Sequence, residues 1–268
     1  MKRAWACLFL AAALAGHAAN LPLSDGEELV YNVAWVVLPG AGRITVDAHA
    51  ATGSDGRPVL EVLTKTETRS LAHLLLPFEA WAKSVYDRDS GRLIRFEEQS
   101  KMRDKVSKHT MTFDYARHLI VNVDPERAGP ETYPFPPDDD PIDLINCVME
   151  ARRWHLHPGQ TRDVFVFFER DFYPLTIHAV EYEDVNTPGF SSARALLLEP
   201  RMDKTPPKGM FKRGGSVKVW LGDWEGHTIP LRFQVQFKFG SGIASLSDYH
   251  PGAAAPDPAS SPGSAGQN

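Results

Sequence analysis

The clearest strand pattern in this chain is Ile229-Pro-Leu-Arg-Phe-Gln-Val-Gln-Phe-Lys-Phe239. Every second residue is apolar, and polar side chains stand between them from Arg232 onward. Because successive side chains of a strand point to opposite faces of a sheet, this stretch predicts one face in a core and one face in water. We expect Phe233, on the apolar face, to be buried.

Similar patterns recur along the chain and predict about a dozen strands. They cover residues 28–38, 43–50, 58–68, 79–87, 93–100, 105–115, 118–124, 164–169, 175–183, 193–199, 217–221, 229–239 and 243–249. Short turns such as Pro39-Gly40-Ala41-Gly42 and Gly53-Ser54-Asp55-Gly56 indicate up-and-down connectivity. So many twisted strands usually curl, so we expect a mainly β fold: a strongly curved antiparallel sheet, or half-open barrel, with one central α-helix.

The predicted helix follows a bend that contains Pro134, Pro136 and Pro137. Asp140 is a good N-cap and Pro141 suits the first turn, so we place the helix at residues 141–154. Its apolar residues recur at helical spacing, which predicts a stripe lying on the sheet. The stripe consists of Leu144, Cys147, Val148, Ala151 and Trp154. Residues 70–76 predict a further helical turn or two.

Residues 1–19 have the pattern of a secretory signal peptide. Lys2 and Arg3 precede a short apolar run, and small residues follow it near Ala18 and Ala19. Cys7 lies near the start of the apolar run, where lipid attachment would not place it, so we do not expect a lipoprotein. We predict a protein that is periplasmic or otherwise exported, and soluble after signal cleavage. Residues 20–250 are expected to form a single β-rich domain, followed by a disordered tail at 251–268, which lacks large apolar side chains.

Composition argues against a nucleic-acid partner, an intramolecular disulfide and a transmembrane helix. The formal net charge is −5, and it becomes more negative once Lys2 and Arg3 leave with the leader. A surface of that charge is a poor partner for nucleic acid. Cys147 is then the only cysteine, so no intramolecular disulfide forms. No later apolar segment reaches the roughly 20 residues of a transmembrane helix.

Two clusters have residue types that bind metals. Asp138, Asp139, Asp140 and Asp143 offer hard oxygen ligands suited to calcium, but their spacing matches no EF-hand loop, so an acidic helix start is the better interpretation. His155 and His157 form a pair without an identifiable third ligand. We expect no metal and no cofactor.

Two further features have residue types found in catalytic sites. Cys147 would need an activating base and an exposed setting, whereas its place on the apolar stripe predicts a buried, inert thiol. Asp223 and Glu225 resemble the carboxylate pair of a glycosidase, but Gly222 and Gly226 beside them favour a hairpin turn. We expect no catalytic residue and no enzyme.

Aromatic side chains are the best candidates for ligand binding. Those expected to line a cavity for a lipid or another apolar ligand are Trp35, Trp81, Phe113, Phe233 and Phe237. A fully packed interior is the alternative, because the same alternation serves a hollow and a filled sheet.

The order of several segments resembles one family of exported bacterial proteins, catalogued as domain of unknown function 3108. The segments are Gly26-Glu-Glu-Leu-Val-Tyr-Asn-Val-Ala-Trp35 with Gly42, Asp140-Pro-Ile, Glu183-Asp-Val-Asn-Thr-Pro-Gly189, Val219-Trp-Leu-Gly-Asp223 with Ile229-Pro-Leu, and Gly240-Ser-Gly-Ile243. The resemblance covers about residues 24–249 and implies a β protein of the periplasm or cell envelope, with no catalytic residues to carry over. Asp143 departs from the pattern, since such helices more often carry Ser there. The architecture also resembles, more loosely, the half-open barrels of periplasmic lipoprotein carriers.

Three hypotheses follow for function. The first is a non-enzymatic envelope protein that binds a lipid, a lipid-linked partner or another apolar ligand on its concave face. The second is a packed periplasmic scaffold that contacts another envelope protein through its loops. The third is an exported hydrolase of envelope glycan, which would require two facing carboxylates in a cleft.

Overall fold

The computed structural model describes residues 21–36, 38–168, 171–212, 215–237 and 240–252, and for Phe190, Met210 and Phe237 it describes the backbone only. The predicted leader, residues 1–19, and nearly all of the predicted tail, residues 251–268, lie outside the described residues.

The described residues form 15 strands and two α-helices, so the prediction of a mainly β fold is confirmed. The first eight strands are β1 (Glu28–Trp35), β2 (Leu38–Thr52), β3 (Pro58–Thr68), β4 (Phe78–Asp87), β5 (Leu93–Met102), β6 (Lys105–Asp114), β7 (Leu119–Val123) and β8 (Glu131–Pro134). The remaining seven are β9 (Ile142–Asp143), β10 (Thr161–Phe168), β11 (Asp171–Thr187), β12 (Phe190–Arg201), β13 (Ser216–Trp224), β14 (His227–Phe237) and β15 (Gly240–His250). The helices are α1 (Ser70–Leu75) and α2 (Leu144–Ala151), and a short 3-10 turn covers Gly209–Phe211.

All strands belong to one sheet, in the order β8-β7-β6-β5-β4-β3-β2-β1-β15-β14-β13-β12-β11-β10-β9. Strand β1 lies in the middle and pairs with β2 on one side and β15 on the other. Consecutive strands pair antiparallel on both sides of it, and the short pair of β9 and β10 is parallel. We call β1–β8 the first arm and β9–β15 the second arm. The sheet does not close into a barrel.

The two arms curve toward each other around an apolar core. Phe96 and Phe113 of the first arm lie with ring centroids 5.0 and 5.5 Å from Phe167 of the second arm. Near the edges of the sheet, Tyr133 of β8 lies 5.0 Å from Phe172 of β11. Strands that are distant in the sheet order therefore meet through side chains. The expected strongly curved sheet, or half-open barrel, is confirmed.

Helix α2 begins later and is shorter than predicted. Its N-cap is Asp143, whose carboxylate accepts a hydrogen bond from the backbone N–H of Asn146, and not Asp140. Residues Ile142 and Asp143 are extended because they pair with Val166 and Phe167 of β10. Backbone pairing to a distant strand therefore overrides the local helix-start signal of Asp140 and Pro141. The predicted helical turn at residues 70–76 is confirmed as α1.

The first hairpin turns earlier than predicted. The chain reverses between Trp35 and Leu38, where Val36 has a φ of 54°, and Pro39-Gly40-Ala41-Gly42 lies within β2. Gly42 is needed there because a Cβ would lie 2.6 Å from the carbonyl oxygen of Glu67 on β3. The glycine therefore serves close strand packing instead of a turn.

The strand pattern at residues 229–239 forms β14. Ile229 and Leu231 are fully buried, as the alternation predicts. Phe233 is only half-buried, contrary to expectation. It packs edge-on against Tyr31 with ring centroids 5.0 Å apart, and it lies at the margin of both the main core and a second apolar cluster, which includes Leu175, Leu198 and Val219. No helix in the described ranges is long and apolar enough to cross a membrane.

Candidate functional site

A cavity of about 650 Å³ opens between the first arm and the start of α2. Strands β3, β4, β5 and β6 form its floor, and residues Asp143, Leu144 and Ile145, together with Phe167, Phe168 and Asp171, form the opposite wall. The cavity exists because the arms curve over each other and α2 fills only part of the concave space.

Small side chains on the floor leave this space empty. Strand pairing puts Thr64 beside Ala82 and Thr66 beside Ala80, and it puts Ser100 between Ala80 and Ser107. Closer to the core, the same face carries Leu60 and Val62, which are fully buried. The change from large to small inward-facing residues along neighbouring strands is the sequence signal for the cavity. The aromatic residues predicted to line a ligand cavity do not reveal this signal.

The walls of the cavity are mainly apolar. Most of the exposed lining is carbon. The aromatic and aliphatic side chains that supply it are Phe78, Phe96, Leu144, Ile145, Phe167 and Phe168. Phe96 lies edge-on to Phe167, which ties the floor to the opposite wall. Such a site suits a ligand with a substantial apolar portion, since burial of apolar surface is the main source of binding free energy there.

Polar groups lie at defined points of the lining. His109, which is buried, has its Nε2 atom 3.6 Å from a carboxylate oxygen of Glu98 on the neighbouring strand. Asp143 and Asp171 are the acidic residues of the opposite wall. A few polar groups in an apolar cavity can orient an amphipathic ligand.

Asp143 belongs to a buried network that fixes the wall. Its carboxylate accepts hydrogen bonds from the Ser84 hydroxyl at 2.9 Å and from the Asn146 side-chain amide at 2.5 Å. The same amide also donates to the Ser84 oxygen at 2.9 Å. Burial raises the pKa of Asp143, and the hydrogen bonds from Asn146 and Ser84 oppose that shift. The network joins β4 to the N-terminus of α2 across the core.

The predicted ligand-binding residues lie in different parts of the molecule and do not line one cavity together. Trp81 borders the cavity, but the inward positions of Ala80 and Ala82 beside it direct its indole to the other face of β4. Trp35 is partly exposed at the end of β1, and Phe113 is buried against Phe167. Phe233 packs against Tyr31, and the side chain of Phe237 lies outside the described part of the chain.

The candidate catalytic and metal features have structural roles. Cys147 is buried, and burial raises the pKa of its thiol, as expected for an inert cysteine. Asp223 accepts a hydrogen bond from the backbone N–H of Gly226 in the turn between β13 and β14, so the predicted hairpin is confirmed. Asp140 forms an ion pair with Arg92 at 3.0 Å. Within the described ranges, no three metal-ligating side chains converge.

Three solved structures show similarity to this chain. A β-barrel-like protein of domain of unknown function DUF1849 from Brucella abortus has a TM-score of 0.51 at 9% identity, covering 85% of this chain and 98% of its own. A candidate exported protein with a YmcC-like fold from Bacteroides fragilis has a TM-score of 0.34 at 12% identity, covering 87% and 100%. A candidate lipoprotein from Parabacteroides distasonis has a TM-score of 0.30 at 8% identity, covering 87% and 99%.

The first of these likenesses shows the fold, and at 9% identity it shows nothing further. A comparison with curated proteins found no match. A family model matches residues 30–247, which span nearly all of the sheet from β1 to β15. The chain therefore belongs to the family described as protein of unknown function DUF3108.

Proposed function

We propose that this protein binds a lipid or another amphipathic, largely apolar ligand without catalysing a reaction, and that it does so outside the cytoplasm. The observation that carries the proposal is the open cavity of about 650 Å³ with predominantly apolar walls. Its size lies within the range of roughly 300–1,000 Å³ typical of small-molecule sites.

The shape of the cavity supports binding over a purely structural interior. A packed scaffold would fill the concave face with large side chains, because empty apolar space costs stability. Here Thr66, Ala80, Ser100 and Ser107 keep the floor open on four adjacent strands. A ligand that covers the apolar walls would recover the contacts that these small residues leave unmade.

The polar groups support a binding role over a hydrolytic one. The Ser84 hydroxyl donates to Asp143 and accepts from Asn146, so its hydrogen bonds serve the wall of the cavity. Cys147 belongs to the second apolar cluster and does not line the cavity. Glu98 lines the cavity and is partly exposed, so its carboxylate is the group available to a polar headgroup, while the buried His109 lies behind it.

The test is binding of cis-parinaric acid, a fluorescent fatty acid, to the purified protein. Filling the cavity with Ser100→Trp should abolish the fluorescence increase. Gln99→Trp is the matched control, since Gln99 is the adjacent residue of β5, lies on the opposite face and does not line the cavity. That variant should bind as the unmodified protein does.

Lipid extraction and native mass spectrometry of protein purified from its own host would identify the natural ligand. A stoichiometric acyl-containing adduct would support the proposal. Equal probe binding by Ser100→Trp and the unmodified protein would contradict it, and so would an absence of both probe binding and adduct.

A further inference from the structure

The segment that joins β3 to β4 displays leucines to solvent. Helix α1 has no buried residue, and Leu74 and Leu75 are 79% and 62% exposed. Leu71 and Leu76 are also exposed, and Met102 and Val106, at the tip of the hairpin between β5 and β6, continue the surface. We call Leu71, Leu74, Leu75, Leu76, Met102 and Val106 the apolar rim. An exposed apolar patch of this kind marks an interaction site.

The backbone of the segment is held firmly although its leucines are uncovered. The Thr68 hydroxyl donates to the carbonyl of Leu76 at 2.9 Å and accepts from the backbone N–H of Phe78 at 2.9 Å. The Leu76 N–H in turn donates to the carbonyl of Ala72 at 2.8 Å. Polar contacts, not leucine burial, therefore fix the helix, and the leucines are left to meet something outside the fold.

The two parts of the rim are in direct contact. Met102 pairs with Phe78 across β4 and β5, and the backbone N–H of Arg103 donates to the carbonyl of Pro77 at 3.1 Å. The Arg103 guanidinium also reaches the carbonyl of Leu75 at 3.5 Å. Helix α1 and the hairpin tip thus form one surface.

Cations surround the apolar side chains of the hairpin. The tip reads Lys101-Met-Arg-Asp-Lys-Val-Ser-Lys108, with four cations against one carboxylate. Lys101, Lys105 and Lys108 are exposed, and none of the ion pairs found among the described residues uses them. Glu79, which is exposed and pairs with Lys101 across β4 and β5, adds a second carboxylate. Four cations against two carboxylates still contrast with the net charge of −5 of the whole chain.

We propose that the apolar rim and its lysines dock this protein on the surface of an anionic phospholipid bilayer. Leucines that enter the boundary between headgroups and acyl chains, with lysines at the phosphate level, are the arrangement by which peripheral proteins bind membranes. A protein partner would be expected to bury larger aromatic anchors, which this rim lacks.

The position of the rim fits the proposed function. Phe78 lines the 650 Å³ cavity and also lies beside the rim, between Leu75 and Met102. Docking through the rim would bring the mouth of the cavity to the membrane. The docking inference itself rests on the exposed leucines and lysines alone, so it can be tested apart from ligand binding.

The test is co-sedimentation of the purified protein with vesicles of phosphatidylethanolamine and phosphatidylglycerol, compared with vesicles of phosphatidylcholine alone. We expect binding to the anionic vesicles that falls as salt rises. Lys101→Gln with Lys105→Gln should weaken it at least about tenfold, since each cation near an anionic surface contributes about fivefold. Leu74→Ser with Leu75→Ser should weaken it to a similar degree.

Matched controls come from exposed residues elsewhere. Tyr182→Ser, on β11 of the second arm, and Lys65→Gln, in the middle of β3, should bind vesicles as the unmodified protein does. Ser100→Trp should also retain vesicle binding, which separates a failure of the cavity proposal from a failure of the docking proposal.

Equal sedimentation of the leucine variant and the unmodified protein would overturn the inference. So would a dimer that dissociates on Leu74→Ser with Leu75→Ser while vesicles are not bound, because the rim would then be a contact between two copies of the chain.

Discussion

Glu150, on the last turn of α2, is a carboxylate that the fold keeps partly out of water. Burial raises its pKa from 4.5 to about 6, although Arg153, whose guanidinium lies 3.9 Å away, and Arg162 favour the charged form. Because the pKa in the folded state is above the usual value, Glu150 favours folding most below pH 4.5. That contribution is lost as the pH rises through about 6.

Glu150→Gln should therefore become progressively more stable than the unmodified protein as the pH rises from about 4.5 to 7. The expected gain is about 2 kcal/mol, from the size of the pKa shift. Denaturant unfolding of both proteins across this pH range measures it. Glu199→Gln is a control of opposite sign, since hydrogen bonding from Arg201 lowers the pKa of Glu199. A pH-independent difference for Glu150→Gln would show that its carboxylate is solvated.

Leu231 and Phe233 test how far burial extends along β14. Leu231 is fully buried, so Leu231→Ala should cost about 3–5 kcal/mol of unfolding free energy. Phe233→Ala should cost less, because half-burial already leaves part of the ring in water. Denaturant unfolding of the two variants gives the comparison. A larger loss for Phe233→Ala would mean that its ring is buried, as strand alternation alone predicts.

At the scale of elements, α2 depends on a cap that β9 supplies. Asp143 ends β9 and caps α2, and it binds Ser84 of β4 at the same time. A helix of this length is marginal in isolation, since short helices rarely form in water. Its position is therefore set by the contacts at its N-terminus and by its apolar face, not by propensity.

Asp143→Ala should lower the unfolding free energy by about 2–3 kcal/mol, because it removes the cap and leaves buried polar groups of Ser84 and Asn146 without partners. Asp143→Asn keeps an oxygen that caps the Asn146 N–H, but it replaces the oxygen that accepts from Ser84 and from the Asn146 side chain, so it should cost less than Asp143→Ala without being neutral. Thermal or denaturant unfolding distinguishes them. Similar losses in both variants would show that the cap contributes little and that the oxygen facing Ser84 and the Asn146 side chain is the one required.

At the scale of the whole molecule, Arg152 joins three distant parts of the chain. Its guanidinium donates to the buried carboxylate of Glu27 at 2.6 Å and to the carbonyl of Thr228 on β14 at 2.9 Å. Glu27 precedes β1, whereas Arg152 is the C-cap of α2. This contact fixes α2 against the middle of the sheet, where the two arms meet.

Arg152→Ala should cost about 3–5 kcal/mol, since it leaves the Glu27 carboxylate buried without its cation. Arg117→Ala is the matched control: Arg117 pairs with Asp114 at the surface, and its loss should cost less than about 1 kcal/mol. Denaturant unfolding measures both. Equal losses would place Glu27 in contact with water.

The curved β architecture follows from the sequence because strand alternation is local. Neighbouring residues alone show the period of two from Ile229 onward and the turn at Gly53 to Gly56. The helical spacing of apolar residues around Cys147 likewise predicts its burial. Twist then makes a sheet of many strands curve. Regular patterns of this kind depend on neighbouring residues and can be read without knowledge of long-range contacts.

Tertiary structure alone decided where α2 begins, where the chain turns after β1, and which residues surround the cavity. Ile142 and Asp143 pair with β10, and Gly42 allows the backbone of β3 to approach closely. In both places distant backbone groups override the local helix-start or turn signal. The cavity arises from small residues that become neighbours only when four strands pair and the second arm folds over them. Its volume depends on contacts between residues far apart in the chain, and no single stretch of sequence carries that information.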